Sequence, residues 1–303
     1  EDYYLEGLRR DETDIRLNNG YGKYLYNKGR FAESEKYFRQ AIKSSTWKNP
    51  NPYDCEPYYN LGLSLKKQGK INTAFDAFYK AVWDGNMQDK AFYQLACIAS
   101  GRGDYNIEKS LVKGMHNLKA RTLKSALLRK LGKNTEATEF AKETRNIDAL
   151  DHSAYYELYK ITGNGLDEMQ AVMRGDNHNY IELALSYMSA YLTDDAIEIL
   201  KLAPNDNEPM VHYYLYALTN DKSELDKAEI SDSLYCFPNR LEDIAVLEKA
   251  IYNGGNYAAY YLGCLFYDKG RWEESKELWE KCADNIKLPT VYRNLSLVYY
   301  NKL

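Results

Sequence analysis

The stretch from Tyr58 to Gly85, YYNLGLSLKKQGKINTAFDAFYKAVWDG, constrains the fold of this chain most strongly. It consists of two amphipathic runs broken at Gly69-Lys70. Tyr58, Leu61, Gly62 and Leu65 share one face of the first run, and Ala74, Phe78 and Ala81 share one face of the second. Apolar residues at i, i+3, i+4 and i+7 mark a helix with one buried stripe. Gly62, Ala74 and Ala81 sit where two antiparallel helices must approach closely. Such a pair cannot bury both stripes by itself and needs copies stacked beside it.

Copies are present on both sides. With the small residue of each first helix (helix A) placed at position 8, a repeat starts at Ile15 and carries Tyr21, Gly22 and Leu25, a turn at Gly29, then Ser34, Phe38 and Ala41 on the second helix (helix B). The Tyr58–Gly85 repeat follows after a loop, Ser45–Asp54, in which Pro50 and Pro52 stop the helix. The third repeat, 34 residues further on, uses Leu95, Ala96, Ala99, Gly103, Glu108, Val112 and Met115; the fourth uses Ser125, Leu128, Gly132, Ala137, Ala141 and Thr144. A degenerate repeat spans 151–175 around Gly163-Asn164-Gly165. Regularity returns with Leu183, Ala184, Tyr187, Ala196, Leu200 and Ala203, ended by Pro204. Met210–Asn220 opens a seventh repeat whose second helix is expected only at Leu241–Tyr252, after an insertion at Asp221–Asn239. Leu262, Gly263, Phe266, Gly270, Ser275, Trp279 and Cys282 form the eighth, and a last helix occupies 290–302. The expectation is one all-α domain, 1–303: regular repeats over 15–145, the degenerate one, further repeats over 177–285 with the insertion at 221–239, and the terminal helix.

The chemistry-bearing residues point away from catalysis. No GxGxxG, GxxxxGK[ST], GxSxG or HExxH motif occurs. The pairs Asp194-Asp195, Glu242-Asp243 and Glu273-Glu274 lie at helix starts, where acids stabilise the positive dipole end. The five cysteines are scattered without a CxxC, which fits buried thiols in the cytoplasm, and the four histidines are isolated. No metal or cofactor is therefore expected, and the chain is not expected to be an enzyme. No window is long and apolar enough to enter a membrane, and no basic-then-apolar leader opens the chain. The 30 tyrosines suit stacked helices in which rings are buried and hydroxyls stay wet. Charge is divided unevenly: residues 1–150 carry 26 basic and 19 acidic side chains, +7, against 14 and 25, −11, in residues 151–303. The two halves thus suit different electrostatic partners.

Leu61-Gly62 with Ala74, Phe78 and Ala81, Tyr21-Gly22 with Phe38 and Ala41, and Leu262-Gly263 with Trp279 resemble the tetratricopeptide repeat (TPR) family, whose period is 34 residues. The resemblance covers nearly the whole chain and is poor in the fifth and seventh repeats. The opening YYLEGLRRDETDIRLNNGYGKYLYNKGRFAESEKYFRQAI is similar to the TPR segment of large bacterial proteins in which the repeats follow a β-rich domain, DUF5107, associated with carbohydrate chemistry. That resemblance would account for a chain starting without Met. It implies a right-handed superhelical solenoid of about eight repeats that binds protein or peptide, as the interaction segment of a larger protein. The alternative it leaves is the non-catalytic part of a carbohydrate-active enzyme.

In this family ligands lie in a concave groove lined by helix A positions 2, 5, 9 and 12. Carried over, these positions are Arg16, Asn19, Lys23 and Tyr26; Glu56, Tyr59, Leu63 and Lys66; Lys90, Tyr93, Cys97 and Ser100; and Lys119, Thr122, Ala126 and Arg129. A basic groove interleaved with tyrosines suits an extended ligand with acidic side chains or a free carboxylate. Family members that clamp a C-terminal carboxylate do so at places held here by Asn19, Lys23, Asn60, Lys90 and Gln94. Asn60 and Lys90 match the clamp, Asn19 and Lys23 are exchanged, and Gln94 replaces an arginine, which favours a chance match. Late in the chain the same positions are Tyr257, Tyr260, Cys264 and Tyr267, then Arg293, Leu297 and Tyr300, an end richer in tyrosine than in cations.

Three further features stand out. Lys109–Lys133 holds eight basic residues and no acid, but without Phe, Tyr or Trp it lacks the stacking half of a single-strand nucleic-acid site. The insertion ends in Leu234, Tyr235, Cys236, Phe237 and Pro238, an apolar tip expected to fold back on its neighbours. In the last helix, Tyr292, Leu295, Ser296 and Tyr299 are expected to face the preceding helix, leaving Leu297, Val298, Tyr300 and Leu303 as an apolar surface where the native chain either continues or forms a homodimer.

Overall fold

The computed structural model describes residues 1–105, 118–204, 207–231 and 236–301. Every regular element among them is a helix, and they fall into two compact units, Glu1–Tyr26 with Arg30–Ile199, and Asn27–Gly29 with Leu200–Leu303. The first contains α1 (Asp2–Arg10), α2 (Ile15–Asn27), α3 (Phe31–Ser45), α4 (Glu56–Lys67), α5 (Ile71–Ala81), α6 (Gln88–Gly101), α7 (Leu118–Lys130), α8 (Asn134–Ile147), α9 (His152–Thr162), α10 (Leu166–Met173), α11 (Asn177–Ser189) and α12 (Thr193–Lys201). The second contains α13 (Pro209–Thr219), α14 (Lys222–Ile230), α15 (Leu241–Tyr252), α16 (Asn256–Asp268), α17 (Trp272–Ala283) and α18 (Pro289–Asn301). Sequential antiparallel pairs repeat along each unit, as in a helical-repeat solenoid.

The crossings follow the side-chain spacing. A Cβ on Gly62 would lie 2.6 Å from Cε1 of Phe78, and one on Gly22 would lie 2.6 Å from Cε1 of Phe38. A Cβ on Gly263 would meet Nε1 of Trp279 at 2.4 Å. Each glycine admits a ring that is itself almost fully buried. The Trp279 indole donates to the carbonyl of Tyr260, 3.1 Å away, and so remains satisfied inside the crossing. The turn between α4 and α5 closes at Gly69, whose φ of 74° lies in the left-handed region that side chains avoid. Around α4 and α5 the core joins Phe38, Leu61, Leu65, Ala74, Phe78, Leu95 and Ile98 from four helices. Glu108, Val112 and Met115 of the third repeat, and Leu303 after the last helix, lie outside the described residues.

Four findings add to or correct the expectations. First, α1 precedes the repeat that starts at Ile15. Glu6 pairs with Arg9 and Arg10 one turn on, and Tyr4 packs on Tyr21 and Tyr24. Second, the insertion holds helix α14, which buries Leu225 and Ala228. Its Glu229 accepts from Tyr213 Oη at 2.6 Å and from the backbone amides of Asn256, Tyr257 and Ala258, the open N-terminus of α16. At the tip Cys236 and Pro238 are buried and Phe237 is exposed, while Leu234 and Tyr235 lie outside the described residues.

Third, three of the large buried tyrosines do not keep their hydroxyls wet. Tyr187, Tyr213 and Tyr214 donate to Glu157, Glu229 and Asp243, each at 2.6 Å. A hydrogen bond to a charged acceptor contributes about 1.5–3 kcal/mol, and it lets both groups leave water together. Fourth, α18 uses a different face: Val291 and Val298 are fully buried with Leu295 against the Trp279 cluster, while Tyr292 and Tyr299 are half exposed. The two valines bury without a polar atom, whereas Tyr292 and Tyr299 reach out to donate to the Ala283 carbonyl and Glu280.

Candidate functional site

The helix A face of the first unit was assembled by position, and the structure shows what those side chains do. On α2, Asn19 is buried and donates to Glu56 Oε2 at 2.6 Å, and Lys23 Nζ lies 3.0 Å from Glu56 Oε1. Asn60 on α4 donates to Asn19 Oδ1 at 3.0 Å. One carboxylate thus ties two helices together, and both amides of the clamp-like set are engaged with each other. Tyr26 is half-buried, stacked edge-on against Phe31, and Tyr59 packs on Phe78 with its hydroxyl bonded to Gln94. Burial lifts the Tyr59 hydroxyl above its ordinary pKa.

Lys66 Nζ reaches Gln94 Oε1 and the carbonyl of Ser189, both at 3.0 Å, so α4 and α6 are bound to the end of α11. Tyr93 is buried and its hydroxyl lies 3.2 Å from Ser189 Oγ. The next residue but one, Tyr191, has a φ of 59° and lies against Gly101, where a Cβ would come within 2.6 Å of its ring. Arg129 forks onto Glu157 at 2.8 and 3.0 Å and reaches Asp195 at 2.8 Å. Glu157 is fully buried. Burial raises the Asp195 pKa, but Arg129 and Lys130 outweigh it and hold the carboxyl below its ordinary value. Arg16, Lys90 and Lys119 are exposed. The positions therefore divide into a polar seam lacing helices together and a few cations at the solvent edge.

Within the basic run, Lys109 and Lys113 lie outside the described residues. Of the remainder, Arg121 is buried, donating to Thr144 Oγ1 at 3.0 Å, and both Arg121 and Lys124 lie over the Phe140 ring. Tyr257, Tyr260, Cys264 and Tyr267 pack on the Trp279 cluster, whereas Tyr300 is exposed. Among the described residues no three His, Cys, Asp or Glu side chains come together as metal ligands, and no helix is long and apolar enough to cross a membrane.

No family model matches the sequence. Among solved structures, the chain is similar to a tetratricopeptide repeat protein from Parabacteroides merdae, with 14% identity over 79% of this chain and 93% of that one and a TM-score of 0.47. It is also similar to YrrB, described as a TPR protein with an unusual peptide-binding site, with 14% identity over 73% of this chain and 94% of that one and a TM-score of 0.30. Against yeast Tom70 the identity is 14% over 98% of this chain and 84% of that one, with a TM-score of 0.33. The all-α repeat architecture stands on the helices and crossings described above.

Sequence reasoning missed a groove of about 900 Å³ in the first unit, bounded by α1, the start of α2 and the outer face of α3. It takes Leu8, Ile15, Tyr37 and Trp47 as apolar lining and Lys36, Lys43 and Lys48 as cations. The signal was in the sequence: Lys36, Gln40 and Lys43 lie at i, i+4 and i+7 on α3. Without α1 that face had no opposite wall, and it reads as solvated helix surface.

Proposed function

We propose that this chain is a non-enzymatic protein-binding scaffold that takes an extended, acidic or carboxylate-bearing segment along the helix A face of its first unit. The observation that supports this reading is the division of that face. Its inner polar residues are fixed by one another, so they present a rigid, pre-organised wall, and the cations left at the solvent edge, Arg16 and Lys90, are exposed. Pairing at such an edge steers an anionic segment and is sensitive to salt, because the Debye length falls from about 10 Å at 0.1 M to about 3 Å at 1 M. Lys23 is held by Glu56 and Lys66 by Gln94 and Ser189, so these two act by shaping the wall.

The test is calorimetric titration of a glutamate-rich peptide with a free C-terminus, its amidated form and a lysine-rich counterpart. The acidic peptide binds, binding weakens with salt, and Arg16→Glu with Lys90→Glu removes it. Equal binding of the lysine-rich peptide, or full affinity in the double variant, overturns the reading.

A further inference from the structure

The groove between α1 and α3 includes none of the residues carried over to the helix A face. Trp47 is 85% exposed, which leaves a large ring in water at the rim of a cleft floored by Tyr37 and Ile15. Tryptophan so placed recurs where an interface later closes over it, because its ring contributes large contact area with only two rotatable angles. Around it stand Lys36, Lys43 and Lys48, all exposed. No described carboxylate comes within ion-pair distance of any of the three, although elsewhere in the unit exposed lysines such as Lys23 and Lys70 have found acidic partners. Glu12 is the one acid on the lining. The cleft therefore combines an apolar floor with a net positive rim whose charges are unanswered within the unit. One wall, α1, contains no fully buried residue and is held chiefly by Tyr4 against Tyr21 and Tyr24 and by Glu1 accepting from both tyrosine hydroxyls.

We infer that this groove is a second docking site, for an acidic polypeptide segment of a partner protein that carries apolar side chains between its carboxylates. The apolar side chains enter the cleft against Ile15, Tyr37 and Trp47, and the carboxylates meet Lys36, Lys43 and Lys48. Charge complementarity selects this occupant. A basic segment would place its cations against three unpaired lysines, and a purely acidic one would leave the apolar floor wet. The site stands apart from the proposed helix A function, and either can hold while the other fails.

The experiment uses the full chain and a fluorescein-labelled peptide of about fourteen residues in which glutamates alternate with leucine and phenylalanine. Anisotropy rises on binding, and the Trp47 resonance shifts in the spectrum of protein carrying fluorinated tryptophan, identified by its loss in Trp47→Phe. Lys36→Gln, Lys43→Gln and Lys48→Gln together weaken binding by about 10-fold or more, and so does Trp47→Ala, while Lys90→Glu does not. All four replaced groove residues are exposed, so the variants keep the fold, which circular dichroism verifies. Absence of binding, full affinity in the triple variant, or equal affinity for a lysine-for-glutamate peptide overturns the inference. So does a peptide lost on Lys90→Glu but not in the triple variant, an outcome that supports the helix A reading instead. Preferential binding of the chain to phosphatidylserine-containing vesicles, competing with the peptide, also overturns it by assigning the groove to a lipid surface.

Discussion

Replacing Gly62 by leucine tests the central crossing directly. A first carbon at this position lies 2.6, 2.7 and 2.8 Å from Cε1, Cδ1 and Cζ of Phe78. Favourable carbon contacts lie near 3.5–4.0 Å, so the ring must retreat by about 1 Å before the rest of the leucine is placed. Phe78 has nowhere to go: it is fully buried, with Leu61, Leu65, Ala74, Leu95 and Ile98 in the same cluster. Overpacking costs about 1–3 kcal/mol in such a core, and four added atoms place this case near the top of that range. The better helix propensity of leucine returns up to about 1 kcal/mol, which leaves a net loss of about 2 kcal/mol. Urea denaturation followed by circular dichroism reads the loss as a lower midpoint with an unchanged slope. Gly85 is the control, since nothing lies within 4 Å of a Cβ there and Gly85→Leu should stay within about 0.5 kcal/mol of the parent. Phe78→Ala alone should cost about 3–5 kcal/mol, and combined with Gly62→Leu the losses should fall short of their sum, because the leucine enters the vacated space. A parent-like midpoint for Gly62→Leu, or strict additivity in the double variant, refutes the crossing.

Further outcomes follow from the buried polar groups. Arg129→Ala strands the buried Glu157 without its cation and leaves Asp195 only Lys130, and should destabilise the first unit by about 3–5 kcal/mol, with Arg129→Lys only a partial rescue because the fork is lost; denaturation midpoints check both. Glu229→Ala opens three amides of α16 and orphans the Tyr213 hydroxyl, for a loss of about 1–3 kcal/mol seen as faster amide exchange at Asn256–Ala258. Burial holds His152 below its ordinary pKa of 6.5, so the unfolded chain binds its proton more readily; stability therefore falls as the pH drops from about 7 to 5, and His152→Asn should flatten that slope. Burial raises all five thiols, Cys264 to about 11 and Cys282 to about 12, so iodoacetamide at neutral pH should label the native chain far more slowly than the urea-unfolded one by mass spectrometry. The exposed Leu297 and Tyr300 should support weak self-association, read as a mass that falls on dilution in light scattering; a constant monomer mass removes that role.

The crossings were legible because a glycine and an aromatic at fixed positions on adjacent helices leave one geometry. Gly22 with Phe38, Gly62 with Phe78 and Gly263 with Trp279 needed only helical periodicity. What periodicity cannot report is the distant partner of a polar side chain. Lys66 and Tyr93 read as groove residues, and nothing near them in the sequence announces Ser189. Arg129 read as a ligand cation because Glu157 and Asp195 belong to later helices. In α18 two stripes overlap, and the choice fell to side-chain chemistry: valine disappears into the core, while tyrosine keeps its hydroxyl within reach of an acceptor. Helix α14 was hidden because its stripe is short, with Leu225 and Ala228 its only buried members.

The contact of Lys66 with Ser189 spans 123 positions of sequence, and that of Tyr93 spans 96. Helical repeats fold quickly because their contacts are local, and arrays of them can be lengthened or shortened one repeat at a time. Here the second and third repeats close onto a residue made much later, which raises the contact order and links their ordering to α11. During synthesis these repeats leave the ribosome before the bonds of Lys66 and Tyr93 to Ser189 can form, and those bonds close only after Ser189 follows. A truncation ending at α8 would lose more than the helices removed: it would also take from Lys66 and Tyr93 their bonds to Ser189.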